Sequence, residues 1–173
     1  IGAVLGMGAV YGTDIGMSVK DVSYFMSALI LGGFLFQYPL GLLSDHFGRR
    51  KIIFFSCVAG TLISLYAIGF TGERVLFFAI VVSVGGLTMP LYALCGVHTN
   101  DYLNPIQMVA ASGTLVLLSA IGATLGSSMT AFAMDIFGPQ AFYGSIAAMT
   151  SSVALFALWR STQRADIVAE DRG

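Results

Sequence analysis

Between two long apolar runs the chain reads GLLSDHFGRRK, Gly41 to Lys51, which gathers a hydroxyl, a carboxylate, an imidazole and three cations. Ser44, Asp45 and His46 are the residue types of a hydrolytic triad. Sequence neighbours cannot face one another as a triad does, however, and a triad is recognised by geometry. The chain has no GxSxG or HExxH, and Gly6 and Gly8 are followed by Tyr11 where a GxGxxG would place its last glycine. An enzyme is therefore not expected. The chemistry these residues support is electrostatic. Asp45 can accept from the amides of a neighbouring helix N-terminus, Arg49 and Arg50 supply charge partners, Gly48 permits a turn, and Gly41 lets a helix end approach its neighbour.

A second group of polar residues sits inside apolar runs: Tyr11, Gln37, Tyr38, and Tyr92 beside Pro90. Gln37 is the strongest candidate to meet a solute, since its amide offers two donors and an acceptor and Pro39 follows to loosen its helix. The competing role is an interhelical hydrogen bond, worth about 0.6 kcal/mol on average in a membrane. Cys57 and Cys95 also fall in apolar runs, outside any CxxC or Cys/His cluster, and read as buried small hydrophobes. Neither a cofactor nor a metal is expected.

The elements that must position these groups follow from composition. Of the 173 residues, 57% are hydrophobic and 10% charged, against about 25% charged in soluble domains. Mean hydropathy is +0.86. The charges collect in short clusters between apolar runs, so lipid is the expected solvent, and a net charge of −1 argues against nucleic acid as a partner. A helix needs about 20 apolar residues to span a bilayer. Six runs are expected: Ile1 to Tyr11, too short and missing its amino-terminal end, then Val22 to Leu43, Ile52 to Thr71, Val75 to Val97, Ile106 to Met134 and Gln140 to Arg160. The expected organisation is thus a transmembrane bundle over 1–160, its first helix truncated, and a polar cytoplasmic tail over 161–173.

Local signals mark the ends of these runs. Ser18 with Asp21 reads as a capping box, Asn104 with Pro105 as an N-cap and first turn, and Gly72 and Gly138 as helix ends. Gly122 and Gly126, like Gly2 with Gly6 and Gly8 with Gly12, have the four-residue spacing of close helix packing. Positive loops stay on the cytoplasmic side. Placing the Gly41–Lys51 loop inside puts Arg49, Arg50, Lys51, Arg160, Arg164 and Arg172 inside, with Lys20 and Arg74 outside. No complete span holds an interior charge, so any proton coupling is expected from elsewhere in the protein. Asp14, His98 and Asp101 stand at span ends, and His98 and Asp101 read as a solvated loop with capping duties.

Gly41, Leu43, Asp45, Gly48, Arg49 and Arg50 match in order and spacing the loop motif of major facilitator transporters, G-x-L-x-D-[R/K]-x-G-[R/K]-[R/K], which this sequence resembles. His46 departs from it, since the family commonly has Arg or Lys there. The stretches HTNDYLNPIQMVAASG, His98 to Gly113, and ALFALWR, Ala154 to Arg160, resemble the tenth-to-eleventh loop and final helix of a bacterial subgroup. The fourth run also lacks the intramembrane Arg common in the amino-terminal half. The resemblance implies an all-α membrane fold, a six-transmembrane-helix bundle that is one half of a twelve-helix structure, helices seven to twelve. It further implies a secondary transporter of the inner membrane working by alternating access, with the loop motif as a cytoplasmic latch against a missing amino-terminal half. Its partners would be a small-molecule solute, the lipid bilayer and, if coupled, protons. A receptor or channel on the same fold is the alternative, since fold does not dictate function.

Overall fold

A computed structural model describes residues 1–163, excepting the side chains of Pro105, Ile106, Val109, Ala110 and residues 161–163. The regular elements among the described residues are all helices, with no strand. The elements are α1 (Gly2–Asp14), α2 (Val19–Phe47), α3 (Arg49–Ile68), α4 (Arg74–Thr88), α5 (Pro90–Asn100), α6 (Pro105–Phe137) and α7 (Ala141–Gln163). Among the described residues five segments are long and apolar enough to cross a membrane, and α4 with α5 forms one of them, Arg74–Asn100. At 13 residues, α1 falls short of a span.

Capping sets several boundaries outside the apolar runs. The Asp21 amide donates to Ser18 Oγ at 3.2 Å while the Ser18 hydroxyl donates to Asp21 Oδ2 at 2.7 Å, so α2 opens before its apolar run. The Asn104 amide donates to Gln107 Oε1 at 3.1 Å, and the Asn104 side chain caps α6 in return. Gly138 ends α6 at φ +83°, but Gly72 lies beyond α3, which ends at Ile68 with Gly69 as its cap. The first three residues of the expected tail, 161–163, continue α7. Arg164 and Arg172 lie outside the described residues.

The two prolines inside expected spans, Pro39 and Pro90, behave differently. Pro39 lies within α2, which continues to Phe47. Pro90 divides the fourth span instead: Met89 still donates to Gly85 O at 3.0 Å, whereas Tyr92 reaches only Met89 O, at 3.4 Å. Pro90 has no amide to give, which removes one rung of the ladder.

Packing joins α1 to α6, α2 to α4 and α3 to α7. The closest approach is between α2 and α4. A Cβ on Gly32 would collide with the Val82 carbonyl, and one on Gly85 with the Leu29 carbonyl, so the two backbones touch. Small residues allow this contact, which replaces the missing hydrophobic drive in lipid. Between α1 and α6, Gly2 lies against the Ala123 backbone and Ser127 Oγ donates to Gly2 O at 2.9 Å. Gly126 faces Ala3 at ordinary contact distance, but Gly122 faces open space, so the α1–α6 approach is made at Ala123, Gly126 and Ser127. A bond of 2.8 Å between the Thr61 and Thr150 hydroxyls ties α3 to α7.

Candidate functional site

The Gly41–Lys51 stretch is the turn between two helices. Gly48 is at once the C-cap of α2 and the N-cap of α3, at φ +93°, a conformation rarely open to a residue with a Cβ. The turn is tight enough that α3 begins at Arg49, three residues before its apolar run. Asp45, in the last turn of α2, and Arg49, the first residue of α3, then lie four residues apart across Gly48, and Arg49 Nη2 meets Asp45 Oδ1 at 3.3 Å.

Arg49 has a second and shorter contact: its Nε lies 2.8 Å from Asp101 Oδ2. Asp101 caps the C-terminus of α5, so Arg49 ties the α2–α3 turn to the end of the broken span. The two carboxylates differ in setting. The Asp101 side chain is 27% exposed and that of Arg49 18%, while the Asp45 side chain is 66% exposed. The half-buried pair carries most of the energy, since exposed pairs contribute about 0–1 kcal/mol. Asp101→Asn is accordingly expected to destabilise the protein by about 1–2 kcal/mol, below the 3–5 kcal/mol of a fully buried pair. Thermal unfolding in detergent checks this, and an unchanged midpoint would remove the role assigned to the pair.

The sequence suggested neither this partner nor the state of His98. The expected solvated loop is helical through Asn100. His98 is half-buried, its ring edge-on to Tyr102 at 5.3 Å. Asn100 Oδ1 is buried with no hydrogen-bond partner.

Of the other motif residues, Gly41 has nothing of this bundle near the position of a Cβ, and Leu43 is exposed. The close approach expected at Gly41 is thus not made within the described residues. Arg50 points into a hollow between α3, α5 and α7. Gln37 and Tyr38 are exposed on α2, one and two turns from Gly41 and Asp45 on the same side of the helix. Tyr92 is exposed on α5, which packs on α2. Tyr11, expected with them, instead lies 3% exposed in an aromatic cluster with Phe25, Phe142 and Tyr143. Its position near the end of α1 aims it between helices. Among the described residues no group of three or more His, Cys, Asp or Glu could hold a metal.

Apolar helices of spanning length, joined by tight turns and tied at one end by Arg49 and its carboxylates, define a multi-pass integral membrane protein. The chain belongs to the Major Facilitator Superfamily, whose profile matches residues 2–172. It is similar to the uncharacterized MFS-type transporter YcaD of Escherichia fergusonii, with 25% identity over 169 residues covering 98% of this chain and 43% of the relative. YcaD of Salmonella arizonae is 26% identical over 172 residues, covering 98% of this chain and 43% of the relative. The uncharacterized MFS-type transporter YfkF of Bacillus subtilis is 29% identical over 156 residues, covering 88% of this chain and 39% of the relative. The chain thus spans about two fifths of the length of the curated relatives it matches. No solved structure matches it.

Proposed function

We propose that this chain is the carboxy-terminal half of a secondary transporter that moves a small organic solute by alternating access. In this reading the α2–α3 turn is a latch on the cytoplasmic side of a bacterial inner membrane, and the carboxy terminus is cytoplasmic. The observation that carries it is the asymmetry of the Arg49 cluster. One carboxylate, Asp101, anchors Arg49 inside this half, while Asp45 stands two-thirds exposed one turn from Gly41, whose Cβ position faces open space. A second bundle set against this face would find a carboxylate able to accept from its helix N-terminal amides. A plain topology anchor would need only the positive charges.

Gln37, Tyr38 and Tyr92 are this half's share of the solute lining, neutral and hydrogen-bonding, and any proton coupling belongs to the other half of the protein. Binding at the interface of repeats is general among secondary transporters. The test is flux of a broad solute panel by the full-length parent protein in cells. Saturable flux supports the reading; ligand binding without flux would make the protein a receptor, and unsaturable flux a channel. For a transported solute, Gln37→Ala is expected to raise KM about two- to tenfold at unchanged abundance, the worth of one hydrogen bond. An unaltered KM would remove Gln37 from the lining.

A further inference from the structure

At the Gly48 end of the bundle α3, α5 and α7 surround a hollow of about 650 Å³. Arg50, His98 and Arg160 give it a polar side, and Ile53, Phe156 and Ala157 an apolar one. Charge at this end is unbalanced. The described cations are Arg49, Arg50, Lys51 and Arg160, against two carboxylates, Asp45 and Asp101, which both meet Arg49. Arg50 is engaged as well, whereas Arg160 is exposed and forms no ion pair among the described residues. Asp14, Asp21, Glu73 and Asp135 stand at the opposite end, at the ends of α1 and α6 and the starts of α2 and α4. The chain's remaining carboxylates are Asp166, Glu170 and Asp171.

These three follow Arg160 closely in the chain. Past Gln163, the last residue of α7, the sequence reads RADIVAEDRG. Residues 166–171 carry three carboxylates and no cation, and they enclose two branched apolar side chains, Ile167 and Val168. That composition complements the hollow, which offers a guanidinium group beside apolar surface. Reach is sufficient. Phe156 lies seven residues before Gln163, about 10 Å along the helix at 1.5 Å per residue. The four residues from Gln163 to Ile167 cover about 13 Å when extended, so Ile167 can turn back to the level of Phe156.

We propose that this hollow is the docking site of the chain's own residues 166–171, with Ile167 and Val168 against Ile53, Phe156 and Ala157 and the carboxylates at Arg160. Tethering to α7 gives the segment an effective concentration in the millimolar range, so a few weak contacts suffice. Burial of the two apolar side chains supplies the drive, and the ion pair fixes the direction in which the segment lies. Once docked, the segment bridges α7 to α3 and α5 and braces the end of α5 from which Asp101 reaches Arg49. The contact is the same whichever way the bundle faces in the membrane, and whether or not the protein carries a solute.

The test uses the full-length parent protein in nanodiscs with photoreactive benzoylphenylalanine in place of Ala169, which leaves Asp166, Ile167 and Val168 intact. Irradiation and mass spectrometry of digests then locate the crosslinks. They are expected on the α3, α5 and α7 residues around the hollow. Their yield should fall about fivefold in Arg160→Gln, the weight of one partly exposed ion pair. Combining Ile167→Asp with Val168→Asp, which removes the apolar contact and keeps the segment acidic, should lower it at least as far. Arg172→Gln, outside the docked residues, should leave it unchanged. If Arg160→Gln does not fold, the double aspartate variant still decides, because its changes lie outside the described helices. Crosslinks to lipid, to a second copy or to the other half of the protein in place of the hollow would overturn the proposal, as would an unchanged yield in the double aspartate variant.

Discussion

Gly85→Leu is expected to leave little folded protein in the membrane. The Cβ position of Gly85 collides with the Leu29 carbonyl, a backbone atom that cannot rotate away. Even Gly85→Ala forces α2 and α4 apart. Alanine gains about 1 kcal/mol of helix propensity over glycine in water, so the sign depends on the clash. Overpacking costs about 1–3 kcal/mol when side chains can adjust, and more when they cannot; here helix must move against helix. Gly33→Ala is the milder comparison, because a Cβ there meets Met89 Sδ at 2.7 Å, which can swing aside, and Met89 Cβ at 2.9 Å, which requires only a small shift, and no backbone carbonyl. Monodisperse yield in detergent should therefore rank wild type, Gly33→Ala, Gly85→Ala and Gly85→Leu in falling order. Equal yields for the two alanine variants would mean that the backbones do not touch.

Asp45→Asn is expected to leave the protein folded and inserted at normal abundance and to reduce flux about fivefold or more, the usual range for coupling between sites. Asparagine keeps the shape of aspartate and removes its charge. Within this half little is lost, because the 3.3 Å pair with Arg49 is largely solvent-screened and Asp101 still holds the guanidinium. The loss falls on whatever Asp45 meets across the face beside Gly41. Contrast with Asp101→Asn separates the two carboxylates: one variant lowers flux at constant stability, the other lowers stability first. Unchanged flux in Asp45→Asn at equal membrane abundance would end the latch proposal and leave the motif as a topology anchor.

The helical class, the spans and most of their caps were legible in the residues themselves. Apolar length sets what crosses a bilayer, and caps such as Ser18–Asp21 and Asn104–Gln107 act within one turn, so local sequence determines them. The tight turn at Gly48 was legible for the same reason, since a glycine and two neighbouring helix ends suffice to make it. Signals of this kind failed where two residues compete over a longer reach. Pro39 and Pro90 look alike in the chain, yet only Pro90 breaks its span; Gly72 and Gly69 both suit a helix end, and the latter caps it.

What only the tertiary structure decided is which helix each group meets. Arg49 carries no mark that its closest carboxylate is Asp101 at the end of another span, and Tyr11 none that it packs among Phe25, Phe142 and Tyr143. Gly122 and Gly126 share the same spacing, but only Gly126 meets α1. The contacts of Gly32 with the Val82 carbonyl and of Gly85 with the Leu29 carbonyl, neither made by a pair of glycines at four-residue spacing, are the tightest in the bundle. In lipid every helix face is tolerably apolar, so hydropathy does not tell a packed face from a free one. The choice falls to shape and to charge pairs between distant segments, which exist only once the helices are assembled.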